Sequence, residues 1–110
     1  MTAGILASFV VAYLTIPKTY PIYDQALTMA VKDDYVVSLL GDGIRDSLFA
    51  YSHINKGYAK IEVTLAGNKS KGRLLIRGRK VDNVWTLESV FLEQDTLKKR
   101  YLIYSGKGVD

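Results

Sequence analysis

Beyond Arg45 the apolar side chains recur at every second position, in short runs whose first four are joined by connections of two to five residues. That period belongs to strands buried on one face, and turns this short force neighbouring strands to run antiparallel. The runs are Leu48–Ile54, Tyr58–Ala66, Gly72–Val81, Val84–Glu93 and Arg100–Tyr104. Asn55-Lys56-Gly57, Gly67-Asn68-Lys69-Ser70 and Asp82-Asn83 supply residues that tolerate positive φ, as tight turns require. In the second run Ala59, Ile61, Val63 and Leu65 share one face, with Tyr58, Lys60, Glu62 and Thr64 opposite. In the third, Leu74 and Ile76 face away from Lys71, Arg73, Arg77 and Arg79. The fourth run breaks phase: Trp85 and Leu87 occupy one parity, Val90 and Leu92 the other. A bulge at Glu88-Ser89 returns all four to one face.

The preceding segment is helical in pattern. Tyr23, Ala26, Leu27, Ala30 and Val31 fall on one face of a helix spanning Tyr20 to Val31. Asp33-Asp34 offers N-cap chemistry to a second short helix, Tyr35–Leu40, and Gly41 suits its end. The expected fold class is α+β, with a short helical pair covering the apolar face of a roughly five-stranded antiparallel meander, and Trp85 is expected to anchor the core under that pair.

Residues Ala3 to Ile16 read AGILASFVVAYLTI and carry no charge. As a helix these fourteen residues reach about 21 Å, short of the roughly 30 Å hydrocarbon core of a bilayer. The flank to Tyr23 extends the reach and places Lys18, Tyr20 and Tyr23 where interfacial side chains belong. A membrane anchor carried by Ile5, Leu6, Phe9, Val10, Tyr13 and Leu14 is the preferred reading. A buried core helix and a signal peptide are its competitors. No Lys or Arg precedes the segment, so charge does not set a topology. The expected division is an anchor over 1–19 and an α+β domain over 20–110.

Composition narrows the chemistry. The 110 residues include no cysteine and one histidine, and the net charge is +4. Disulfides, thiolate metal sites and multi-histidine centres are thereby excluded within one chain. His53 has no visible catalytic partner and reads as structural. Asp33-Asp34 and Asp42…Asp46 sit at helix ends and turns, where capping is the simpler role. Gly67–Gly72 lacks P-loop spacing and leads into a strand, so it reads as a hairpin turn. No catalytic, cofactor or metal residues are assigned. Eight basic residues between Lys56 and Lys80 face Glu62 alone. Lys71, Arg73, Arg77 and Arg79 form the expected interaction face, with Glu62 and Glu88 as cross-strand partners. Protein partners or anionic lipid suit it, and a solvated face balanced by Glu62 and Glu88 is the competing reading. Nucleic acid is disfavoured because stacking aromatics are sparse.

The run Gly57-Tyr58-Ala59-Lys60-Ile61, then Val63-x-Leu65-x-Gly67-x-Lys69-x-Lys71-Gly72, Arg77-Gly78-Arg79 and Trp85-x-Leu87-x-x-Val90-x-Leu92 resembles the family of mitochondrial cytochrome oxidase assembly factor 1. The match in order and spacing covers about residues 3–95. The resemblance implies a single-pass protein of the mitochondrial inner membrane with its domain in the intermembrane space. It implies a role in assembling cytochrome oxidase or NADH dehydrogenase, or a stable place in one of them. It also implies architectural kinship with the small tethered subunit of the presequence translocase, so a translocase subunit or regulator is the alternative. That family has no catalytic residues to carry over. Gly67, Gly72, Trp85, Leu87, Val90 and Leu92 look like fold determinants. No Arg-rich targeting peptide precedes the apolar segment, so import would use that segment itself or a presequence absent from this chain.

Overall fold

The computed structural model describes residues 20–95 and 99–106. Two helices, α1 (Pro21–Lys32) and α2 (Asp34–Leu40), precede five strands. These are β1 (Arg45–Asn55), β2 (Tyr58–Ala66), β3 (Lys71–Val81), β4 (Val84–Glu93) and β5 (Tyr101–Ser105). The strands pair in sequence order, each antiparallel to the next, as the short turns demand. The expected anchor residues Ile5 to Leu14 lie outside the described residues. No described helix is long and apolar enough to cross a membrane.

Helix α1 starts with Pro21 in its first turn, where a missing N–H costs nothing, and carries Asp24 early and Lys32 late, in accord with the helix dipole. Asp33 then serves both helices. Its N–H ends α1 on the Ala30 carbonyl at 3.2 Å, while its Oδ1 accepts from the Tyr35 and Val36 amides at 2.9 and 3.0 Å. This is the N-cap read from the sequence. Gly41, at φ 95°, ends α2 as expected.

The α2 terminus is received by the β2–β3 turn. The Lys69 and Ser70 amides donate to the Leu40 carbonyl at 2.8 and 3.2 Å, and Ser70 Oγ donates to the Leu39 carbonyl at 2.7 Å. These donors satisfy carbonyls that every helix end leaves open. The turn is thus a helix receptor as well as a hairpin connection. Gly67 permits the approach, because a Cβ there would lie 2.3 Å from the Leu40 carbonyl oxygen.

The core lies between the helices and the inner sheet face. Ala59, Ile61, Val63, Leu65, Leu74, Ile76, Val90 and Leu92 are buried there, on the faces that alternation assigned. The α1 face differs from the expected one. Ile22, Tyr23, Ala26 and Ala30 are buried, whereas Leu27 and Val31 are only half-buried. Gly78 is the reason: without a side chain it leaves the space that Ile22 Cδ1 fills, 2.4 Å from where a Cβ would stand. Ile22 is thereby seated on β3 at the start of the helix.

The bulge is present. Arg77 pairs with Ser89 and Gly78 with Leu87, leaving Glu88 without a cross-strand partner. Leu87, Val90 and Leu92 are buried, but Trp85 is only half-buried. This corrects the expectation of a deep tryptophan. Trp85 lies near the mouth of the helix–sheet layer, where Tyr20 covers it at 5.5 Å between ring centroids and Lys80 Nζ approaches to 5.8 Å.

Candidate interaction surface

The helices cover the inner face, so the outer sheet face is the broad surface left for contacts. Register decides which side chains share it. Ala66 and Lys71 flank the four-residue turn and pair, which places Lys60 opposite Arg77, Tyr58 opposite Arg79 and Thr64 opposite Arg73. His53 lies opposite Lys60 and Ser89 opposite Arg77. One row across the face therefore reads His53, Lys60, Arg77, Ser89.

The four expected face residues do share this surface, but in different electrostatic states. Arg73 is held by carboxylates. Its Nη2 donates to Glu93 Oε1 at 2.8 Å and to Asp95 Oδ1 at 3.2 Å, its Nε donates to the same Glu93 oxygen at 3.1 Å, and Glu62 stands 3.8 Å away. Glu93 Oε2 also accepts from Arg100 Nε at 2.8 Å. The bonds to Glu93 and then Asp95 raise the Arg73 pKa, and those from Arg100 and then Arg73 lower that of Glu93. Arg79 faces Glu88 at 3.6 Å. Glu88 Oε2 is buried without a hydrogen bond, so its compensation is electrostatic. Glu62 and Glu88 were the partners read from the sequence.

Lys71, Lys60 and Arg77 have no carboxylate partner among the described residues. Lys60 and Arg77 are like charges set directly opposite each other, an arrangement that destabilises a sheet. Sequence reading placed Lys60 on the polar face but did not pair it with Arg77. The signal was available, since the length of the Gly67–Ser70 turn fixes the register.

Leu75 was also missed. It stands between Arg73 and Arg77 on the outer face, yet is only 6% exposed, flanked across the strands by Glu62 and Phe91. It divides the cationic line into Lys71 and Arg73 on one side and Arg77 and Arg79 on the other. A cavity of about 310 Å³ at the first of these is lined by Thr64, Lys71, Gly72, Arg73, Glu93, Gln94 and Asp95. Arg73, Glu93 and Asp95 are already engaged with one another there.

His53 is exposed on the outer face, opposite Lys60. Among the described residues no cluster of three or more His, Asp or Glu side chains is placed to hold a metal ion. The other polar contacts tie elements together. Tyr23 Oη donates to Asp46 Oδ2 at 2.5 Å, and Tyr101 Oη to Asp33 Oδ2 at 3.0 Å. Burial first, and then these bonds, push both phenols above the ordinary tyrosine pKa.

A helical pair closing one face of a five-stranded meander, with a charged face left open, defines a small α+β domain. Residues 1–104 match the family model of cytochrome oxidase complex assembly protein 1. The chain belongs to that family. No curated protein and no solved structure matches it.

Proposed function

We propose that this chain is a non-enzymatic, membrane-anchored factor that assists the building of a mitochondrial respiratory-chain complex, cytochrome oxidase foremost. Family membership over residues 1–104 carries the reading and supports a role in cytochrome oxidase assembly. The uncharged run Ala3–Ile16, with Ile5, Leu6, Phe9, Val10, Tyr13 and Leu14, supports anchoring in the inner membrane. The domain then lies in the intermembrane space and meets its partner through the outer sheet face bearing Lys71, Arg73, Arg77 and Arg79. Of these, Arg77 and Lys71 have no carboxylate partner among the described residues and can pair with carboxylates of a partner, whereas Arg73 and Arg79 are already engaged.

The test is extraction of native membranes in mild detergent, separation on native gels, and mass spectrometry of each band containing the chain. Occurrence in cytochrome oxidase subassemblies is the expected result. Comigration with a mature complex would make it a permanent subunit, and comigration with NADH dehydrogenase would change the complex served. Absence from every respiratory band would sink the reading.

A further inference from the structure

The two tight turns of the sheet, Lys56-Gly57 and Asp82-Asn83, close at the same end, because Tyr58 pairs with Arg79 and Val81 with Val84. Asp82 and Asn83 both take positive φ, 51° and 64°, which makes the second turn a narrow two-residue tip. Helix α1 also begins at this end. Tyr20 stacks on Trp85, and Ile22 fills the space over Gly78. Tyr20, the first described residue, thus lies at the end of the domain that carries both turns, and the uncharged run Ala3–Ile16 precedes it in the sequence.

The surface there is unusual for a soluble tip. Ile54, Tyr58, Val81 and Val84 are four of the eight large hydrophobic side chains exposed among the described residues, and Val84 is 63% exposed. Lys56 and Lys80 stand among them with no carboxylate partner among the described residues. Arg79 lies just behind, offset by Glu88, and Asp82 is the carboxylate of the turn itself. The opposite end carries Asp42, Asn68, Lys69, Ser70, Glu93 and Asp95, with Leu48 the exposed apolar side chain near it. Apolar tips interleaved with lysines match the headgroup layer of a bilayer, where aliphatic and aromatic groups enter the acyl boundary and ammonium groups meet phosphates.

We propose that this end of the domain lies on the membrane surface, with Val81, Val84, Ile54 and Tyr58 in the interfacial layer and Lys56 and Lys80 on the phosphates of anionic phospholipids. The inference rests on the anchoring reading above. If the preceding segment is in the bilayer, its point of entry into the fold brings these turns to the surface. The contact would fix the domain's tilt and leave the outer face turned toward neighbouring membrane subunits.

The chain has no cysteine, so Val84→Cys and Lys69→Cys each give one site for an environment-sensitive nitrobenzoxadiazole label, at opposite ends of the domain. The full chain is reconstituted in vesicles of phosphatidylcholine alone, or with one third phosphatidylserine. Flotation after a high-salt wash reads the anchor independently of the label. Both proteins are expected to float. The label at position 84 is expected to brighten severalfold and shift to the blue in anionic vesicles, and to lose most of that gain in Lys56→Glu/Lys80→Glu. The label at position 69 is expected to stay in water. Floating protein whose label at position 84 behaves like that at position 69 overturns the surface contact and leaves the anchor standing. A gain that is equal in neutral vesicles and untouched by charge reversal overturns the phospholipid role of the lysines. Failure to float overturns the anchor, and the surface contact with it.

Discussion

Tyr23 reaches from α1 to Asp46 on β1, so a single hydroxyl ties the first helix to the first strand. Burial and the bond to Asp46 make the folded state hold the phenol proton more tightly than the unfolded chain does. The stability this contributes is complete below the unfolded tyrosine pKa of about 10 and is lost as pH rises beyond it. Tyr23→Phe should cost about 1–3 kcal/mol at neutral pH, because Asp46 loses a donor. The same change should flatten the alkaline fall in stability. Urea titrations at neutral and strongly alkaline pH check both effects, and an unchanged alkaline slope would show that Tyr23 is not its source. Glycine positions give a second test. A Cβ at Gly67 would meet the Leu40 carbonyl, which the Lys69 and Ser70 amides hold in place, whereas one at Gly78 would meet the movable tip of Ile22. Gly67→Ala should therefore fall at the upper end of the ~1–3 kcal/mol typical of overpacking, and Gly78→Ala at the lower end. Thermal unfolding of the two variants decides the order.

Among the elements, β4 depends on one supernumerary residue. Glu88 lets Leu87 share the inner face with Val90 and Leu92. Deleting it shifts Val84–Leu87 by one position and turns Leu87 outward, which by the cost of emptying a buried leucine site is about 2–5 kcal/mol. Glu88→Ala keeps the residue count and leaves behind Arg79, which is more than half exposed and can be solvated, so it should change stability by under ~1 kcal/mol. Since Trp85 is the one tryptophan, its emission should shift to the red in the deletion and stay in place in the alanine variant. The bulge was legible because apolar parity switches once in that strand, and the Asp33 cap because local spacing alone specifies it. The seating of Ile22 was not legible: it depends on Gly78, which is distant in sequence, so helical period alone chose Leu27 and Val31 over Ile22. Trp85 was misjudged for a similar reason. Its parity is correct, but it sits where the covering layer narrows to Tyr20. Leu75 has the parity of a solvated residue, and only the side chains packed across from it account for its burial.

At the scale of the molecule, the outer face separates stability from binding, because its cations differ in what they already touch. Arg73 closes a network with Glu93 and Asp95, so reversing its charge would disturb the sheet and any partner together. Loss of association in such a variant would be ambiguous. Arg77 stands against Lys60 with no carboxylate partner among the described residues. Arg77→Glu replaces a like-charge pair with an opposite-charge one, so the isolated domain face should be unchanged or firmer by about 0.2–1 kcal/mol. If the face receives an acidic partner surface, the same substitution should weaken association, and most steeply at low salt, where the field is least screened. Stability and association are thus expected to move in opposite directions. Thermal unfolding of the purified chain, paired with recovery of respiratory subunits in mild detergent, reads the two separately. A variant that is as stable as the parent and still recovers its partner in full would place the contact off this face.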